Sequence, residues 1–172
     1  MKRLRLVFAI LILTISITGP MTIASQALSG ARYAKEQVAA YYLAQEGIEL
    51  VRSVRDNNVL NFPSTVWYGG ELGTATSSPT RCYTSQGCYI DAQNLVVSEC
   101  PLSGSCPPLR VNAGFYQYSA GGNSQFTRTI NLAPVGSGGN EIYVSSTVTW
   151  LSPLFGTSRT YTVTDNLTSW SQ

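Results

Sequence analysis

Residues 31–58 read ARYAKEQVAAYYLAQEGIELVRSVRDNN, and their apolar positions recur at helical steps. Ala34, Val38, Tyr41, Ala44, Ile48, Val51 and Val54 fall three or four residues apart, the repeat of one helix face. Tyr33, Ala40, Leu43, Gly47 and Leu50 form a second row that widens this face. Arg32 with Glu36 and Arg52 with Asp56 are four apart, and Glu49 with Arg52 three apart, spacings at which opposite charges meet on a helix surface. Asn57-Asn58 is the expected stop. An apolar face of this length needs a cover, so Val38, Tyr41, Ile48 and Val51 are expected to lie against the rest of the protein.

Upstream the chain changes character. MKRLR carries Lys2, Arg3 and Arg5, and the next charged residue is Arg32. The most apolar part, LVFAILILTISITGPMTIA, runs from Leu6 to Ala24 and would rise about 28 Å as a helix, just enough to cross a hydrocarbon core of about 30 Å. Basic residues ahead of an apolar run predict a cytoplasmic N-terminus and a translocated remainder. A cleaved signal has similar flanks, and Ser25-Gln26-Ala27 offers a small-x-small site, but the apolar run exceeds the length of a usual signal core. Gly19-Pro20 lies inside the run, where proline is expected to kink or loosen the helix. Together residues 6–58 predict one long helix, its first half lipid-like and its second half amphipathic.

Downstream of Asn58 the helical period stops, and β-branched and aromatic residues cluster in short runs between Gly, Pro, Ser and Asn. Strands are predicted over Cys88–Val97, Gly114–Tyr118, Phe126–Leu132, Glu141–Leu151 and Ser158–Leu167, the last two joined as a hairpin across residues 152–157. Residues 63–81, 119–125 and 136–140 read as surface loops. The expected fold class is α+β: a long N-terminal helix packed on an antiparallel β-sheet. Three regions follow: residues 1–28, a basic start and transmembrane half-helix; 29–58, an amphipathic helix on the head; and 59–172, a β-rich exported domain.

Composition narrows the chemistry. The 172 residues contain no His, which removes Ser-His-Asp and Cys-His nucleophilic sites and most zinc enzymes. Eleven Lys and Arg face nine Asp and Glu, but three of the positives precede Leu6, so the remainder carries eight against nine. Nucleic acid is therefore not an expected partner. Asp91, Glu99 and Glu71 are too scattered to nominate an acid/base pair, and Asp91 with Asn94 lacks the alternating oxygen ligands of a calcium loop. The expectation is a protein with no catalytic residue, no metal and no cofactor.

Cys82, Cys88, Cys100 and Cys106 all follow the membrane segment, with five residues inside each local pair. Zinc ligands stand closer together and often recruit His, whereas an exported chain meets an oxidising compartment, so disulfides are predicted. Local bridges Cys82–Cys88 and Cys100–Cys106 are favoured because each encloses turn residues; nested and crossed pairings stay open.

A basic start, an apolar run with a proline in it, a contiguous amphipathic helix and a β-rich exported domain together resemble a type IV pilin or a type II secretion pseudopilin. The resemblance covers the whole chain and is strongest over ITGPMTIASQALSGARYAKEQVAAYYLAQEGIELVRSVRDNN, whose LAQEGIELVRSVRD portion is similar to minor pilin-like subunits. It implies a helical spine on an antiparallel sheet and a subunit held in the inner membrane, N-terminus inside, before extraction into a surface filament. It also implies partners: the membrane, other pilin-like subunits and an assembly machinery. Leu6, Ile10, Ile12, Ile15, Gly19 and Pro20 would then form the membrane and assembly helix. The start departs from the family pattern, because prepilins carry Gly followed by a Phe-Thr-Leu-x-Glu-like stretch, whereas MKRLRLVF has neither that Gly nor an acidic residue. Either the natural start lies upstream or this is a variant subunit. The competing expectation is a membrane-anchored or secreted β-domain that binds a surface ligand.

Overall fold

A computed structural model of the chain describes residues 2–61, 67, 70–73, 81–102, 105–136, 140–152 and 156–169. Helix α1 spans Lys2–Asn61, three residues past the expected stop, and Asn58 is buried with its side-chain amide beside Gly70. Contacts divide the chain into two compact units, Met1–Val38 and Ala39–Gln172. In the first, α1 continues unbroken through Pro20.

Among the described residues of the second unit, seven strands form one antiparallel sheet: β1 Cys88–Ile90, β2 Val97–Glu99, β3 Pro108–Asn112, β4 Phe115–Gln117, β5 Gly122–Pro134, β6 Glu141–Ser152 and β7 Thr157–Thr168. Strand β5 is central, pairing with β1 and β3 along one edge and β6 along the other, while β2 extends β1, β4 extends β3 and β7 extends β6. The hairpin of β6 and β7 holds one register from Glu141↔Thr168 to Ser152↔Thr157.

Three expectations change. The strand predicted over Cys88–Val97 is two strands with a turn, in which Asp91 and Asn94 side chains accept from the Gln93 and Val96 amides. Those oxygens close backbone turns, which is the usual occupation of such residues. Strand β3 lies outside the predicted strands; Pro108 occupies its first position, where a proline is tolerated. The loop expected over residues 119–125 shortens, because β5 begins at Gly122. Gly121 makes the turn into it at φ +103°, and a Cβ there would strike the Val111 carbonyl. Of the loop expected over residues 63–81, only Trp67, Gly70–Gly73 and Arg81 are among the described residues.

Strand alternation sorts the sheet into two faces. Phe126, Arg128, Ile130 and Leu132 of β5 and Ile142, Val144, Ser146, Val148 and Trp150 of β6 are buried. The opposite face carries cross-strand rows of small polar residues: Thr127, Thr149 and Thr160; Thr129, Thr147 and Thr162; Asn131, Ser145 and Thr164. The Thr147 and Thr162 hydroxyls are hydrogen-bonded at 3.0 Å.

Candidate functional site

The apolar half of α1 presents its side chains outward. Leu6, Ile10, Ile12 and Ile15 are all more than half exposed, and no residue of its most apolar 18-residue window is buried. By length and composition this helix could cross a membrane. Its three threonines bond back to the helix, which suits a low-dielectric surrounding: the hydroxyls of Thr14, Thr18 and Thr22 donate to the carbonyls of Leu11, Ile15 and Gly19. Pro20 removes the N–H that would reach the Ser16 carbonyl. A Cβ at Gly19 would meet nothing within 4 Å.

Further along α1 buried positions begin at Ala40 and continue through Leu43, Ala44, Gly47, Ile48, Leu50, Val51 and Val54 to Asn58. Ile48 and Val51 are core residues as expected, and Tyr41 sits edge-on to Tyr161 of β7 with ring centroids 5.7 Å apart. The expectation for Val38 is corrected: it is 54% exposed. The covered stripe combines the C-terminal part of the first apolar row with the second row, so its centre is rotated away from Val38. Ala34, on the same row as Val38, is exposed too.

This stripe meets the sheet in two apolar clusters with a polar seam between them. One cluster holds Ile48, Val51 and Val54 with Ile130, Ile142, Val144 and Leu167; the other holds Ala40, Leu43 and Ala44 with Leu109, Phe126, Val148 and Trp150. Between them in each element stand Gly47, Arg128 and Ser146. Arg128 is wholly buried; it pairs with Glu46 at 2.7 Å and donates to the carbonyls of Leu43 and Ile90, both at 3.2 Å. The Tyr118 hydroxyl donates to the Arg128 carbonyl at 3.4 Å, and burial pushes the Tyr118 phenol up to about 12, against a smaller opposing pull from Arg128.

Sequence reading left Arg128 and Glu46 out of the candidate residues. A signal existed in the alternation of FTRTINL, where Arg128 has the inward parity of Phe126 and Ile130. A second helix-to-sheet link replaces the expected Arg52–Asp56 pair: Arg52 bonds Asp165 of β7 and Glu49, both at 2.5 Å. The Asp165 hydrogen bond holds the Arg52 guanidinium above its ordinary pKa, with burial opposing.

The four cysteines form the two local bridges, Cys82–Cys88 and Cys100–Cys106, with Cα atoms 4.6 and 4.7 Å apart. Cys82 and Cys88 belong to the first apolar cluster, so this bridge ties the start of β1 to the core that α1 completes. Each bridge stabilises by about 2 kcal/mol on the chain-entropy account of short loops. Labelling the denatured, unreduced protein with a thiol reagent should find no reactive cysteine; four reactive thiols would refute the bridges. Trp150 is buried and Trp67 packs at the core edge, whereas Trp170 lies outside the described residues.

No family model, no curated protein and no solved structure matches the chain.

Proposed function

We propose that this chain is a structural, non-catalytic subunit of a type IV pilus-like or pseudopilus filament, serving adhesion, motility, DNA uptake or secretion. The observation that supports this reading is a single helix whose first part carries an apolar surface with no cover and whose later part is built into an antiparallel sheet. An uncovered apolar helix needs lipid or other apolar helices around it. In this reading it has both in turn: the inner membrane before assembly, with the N-terminus inside, and the half-helices of neighbouring subunits in an extracellular filament afterwards. Machinery-driven extraction connects the two states.

An inert anchor requires only apolarity, whereas a helix bundle depends on side-chain shape. Exchanging Ile10, Ile12 or Ile15 for Leu should therefore leave insertion intact while reducing incorporation into filaments. Pro20→Ala should act in the same direction, because it restores the N–H that proline withholds and stiffens the segment that must repack. Ile12→Asp is the control for insertion, with an expected cost of about 2.5 to 3.5 kcal/mol at a bilayer centre. The measurement is the amount of each variant in the sheared-surface fraction against the membrane fraction. Unaltered protein that never enters the sheared fraction would overturn the filament reading in favour of a membrane-anchored β-domain, and normal assembly of Pro20→Ala would remove the role given to Pro20.

A further inference from the structure

The two ends of the sheet are finished differently. On one side the outermost strands, β2 and β4, are three residues each, short enough to offer little backbone to a newcomer. On the other side β7 is 12 residues long and pairs with β6 alone among the described residues. The strand TSRTYTVTDNLT has no Lys, no Pro and no Gly, its charged residues are Arg159 and Asp165, and its pairing with β6 runs without a register shift. A strand of this kind is a template for addition of another strand.

We infer that β7 is a self-association edge, at which the β7 strands of two copies of this chain pair antiparallel about a two-fold axis through Thr162. This inference does not rest on the filament reading. Several constraints select that register. The backbone groups of successive residues point alternately to opposite edges of a strand, so across a two-fold axis residues of like parity pair and the axis passes through a residue. With the axis at Thr162, Arg159 faces Asp165 of the other copy, Tyr161 faces Val163 and Thr160 faces Thr164. These are opposite-charge, aromatic with β-branched, and hydroxyl pairs, each among the favourable cross-strand combinations. One residue earlier, at Tyr161, Arg159 would face Val163 and Asp165 would face Thr157. One later, at Val163, Arg159 would face Leu167 and Asp165 would face Tyr161.

The helix beside the edge suits the same partner. Along β7 runs a cleft of about 540 Å³, bounded by Glu46, Glu49 and Arg52 of α1 and by Val163 and Asp165 of β7. Three carboxylates of this wall face two guanidinia, Arg52 and the buried Arg128. In the Thr162 register Tyr161 of the second copy extends over Val163. On the other face the rows containing Thr160, Thr162 and Thr164 continue across the junction. Such an interface is isologous and closed, and it joins heads in pairs.

The register makes the test specific. In the full-length chain in detergent, Thr162→Cys places two thiols directly opposite each other, with Cβ atoms about 5 Å apart. Mild oxidation should shift that variant from the one-chain to the two-chain band on a non-reducing gel. Thr160→Cys or Thr164→Cys alone should stay at one chain, because each thiol is then about 13 Å from its counterpart. Mixing the Thr160→Cys and Thr164→Cys chains should restore the two-chain band. All three positions are exposed, so the fold is not at risk. A one-chain band for Thr162→Cys, equal cross-linking at all three positions, or adducts only with a different protein would overturn the inference.

Discussion

Replacing Glu46 by Ala is expected to destabilise the head by about 3 kcal/mol, the lower end of the range for removing one partner of a buried ion pair. The lower end applies because the Glu46 side chain is 38% exposed, so water screens part of the interaction, while Arg128 has no exposure at all. Without Glu46 the guanidinium would keep the carbonyls of Leu43 and Ile90 but no carboxylate partner among the described residues, and a full charge would stay in the space between two apolar clusters. Its Nε already lacks a hydrogen-bond partner among the described residues. The companion substitution sharpens the expectation: Arg128→Met removes the charge with its demand for a partner and should cost less than Glu46→Ala, although Glu46 is the more exposed residue. Denaturant unfolding of the full chain in detergent, followed by tryptophan fluorescence, measures both. A neutral Glu46→Ala, or an Arg128→Met more damaging than it, would show that the pair does not hold α1 to the sheet.

Gly47→Val should be comparably severe, and Gly47→Ala should cost about 1 to 3 kcal/mol despite the better helix propensity of alanine. A Cβ on Gly47 would overlap the Ser146 hydroxyl and stand 3.0 Å from the Ser146 Cβ and 3.1 Å from the Arg128 Cδ. Neither neighbour can move aside easily: Ser146 is in β6, hydrogen-bonded between β5 and β7, and Arg128 is held by the contacts just described. The helix therefore approaches the sheet here at a distance that only glycine permits. Ser146→Ala tests the origin of the cost. The Ser146 hydroxyl has no hydrogen-bond partner among the described residues, so its removal should be close to neutral alone and should recover part of the Gly47→Ala loss. A coupling of about 0.5 to 3 kcal/mol in the double-mutant cycle is expected. Strict additivity would place the cost of Gly47→Ala somewhere other than this contact.

Both experiments bear on the proposed function, since a filament subunit must transmit force between its half-helix and its head without the two parting. Glu46, Gly47, Arg128 and Ser146 form the polar contact through which the later part of α1 is fixed to the sheet, and the neighbouring Arg52–Asp165 pair adds a second. Surface pairs of this second kind contribute little alone, so Arg52→Ala should have the smaller effect.

Much of this architecture was legible in the residues. Apolar length sets Leu6 to Ala24 apart, the three-and-four recurrence from Ala34 to Val54 marks a helix face, and alternation in IYVSSTVTW and RTYTVTDNL marks strands that pair as a hairpin. These are local properties, since periodicity follows from the rise and twist of the backbone whatever it packs on. The local pairing of the four cysteines was also favoured, because each pair encloses turn residues. What tertiary structure alone decided is which part of each pattern is used. Val38 belongs to the apolar row as fully as Ile48 does, yet it is exposed while Ile48 is buried, because which positions of a row are covered is set by what packs on the helix and not by its period. Arg128 is an ordinary charged residue until Phe126 and Ile130 turn inward with it; Glu46, 82 residues away in sequence, then becomes its counter-ion. Gly47 reads as a weak spot in a helix until Ser146 is placed against it. Such roles arise from contacts between residues distant in sequence, and no period in either segment encodes the distance at which two elements meet.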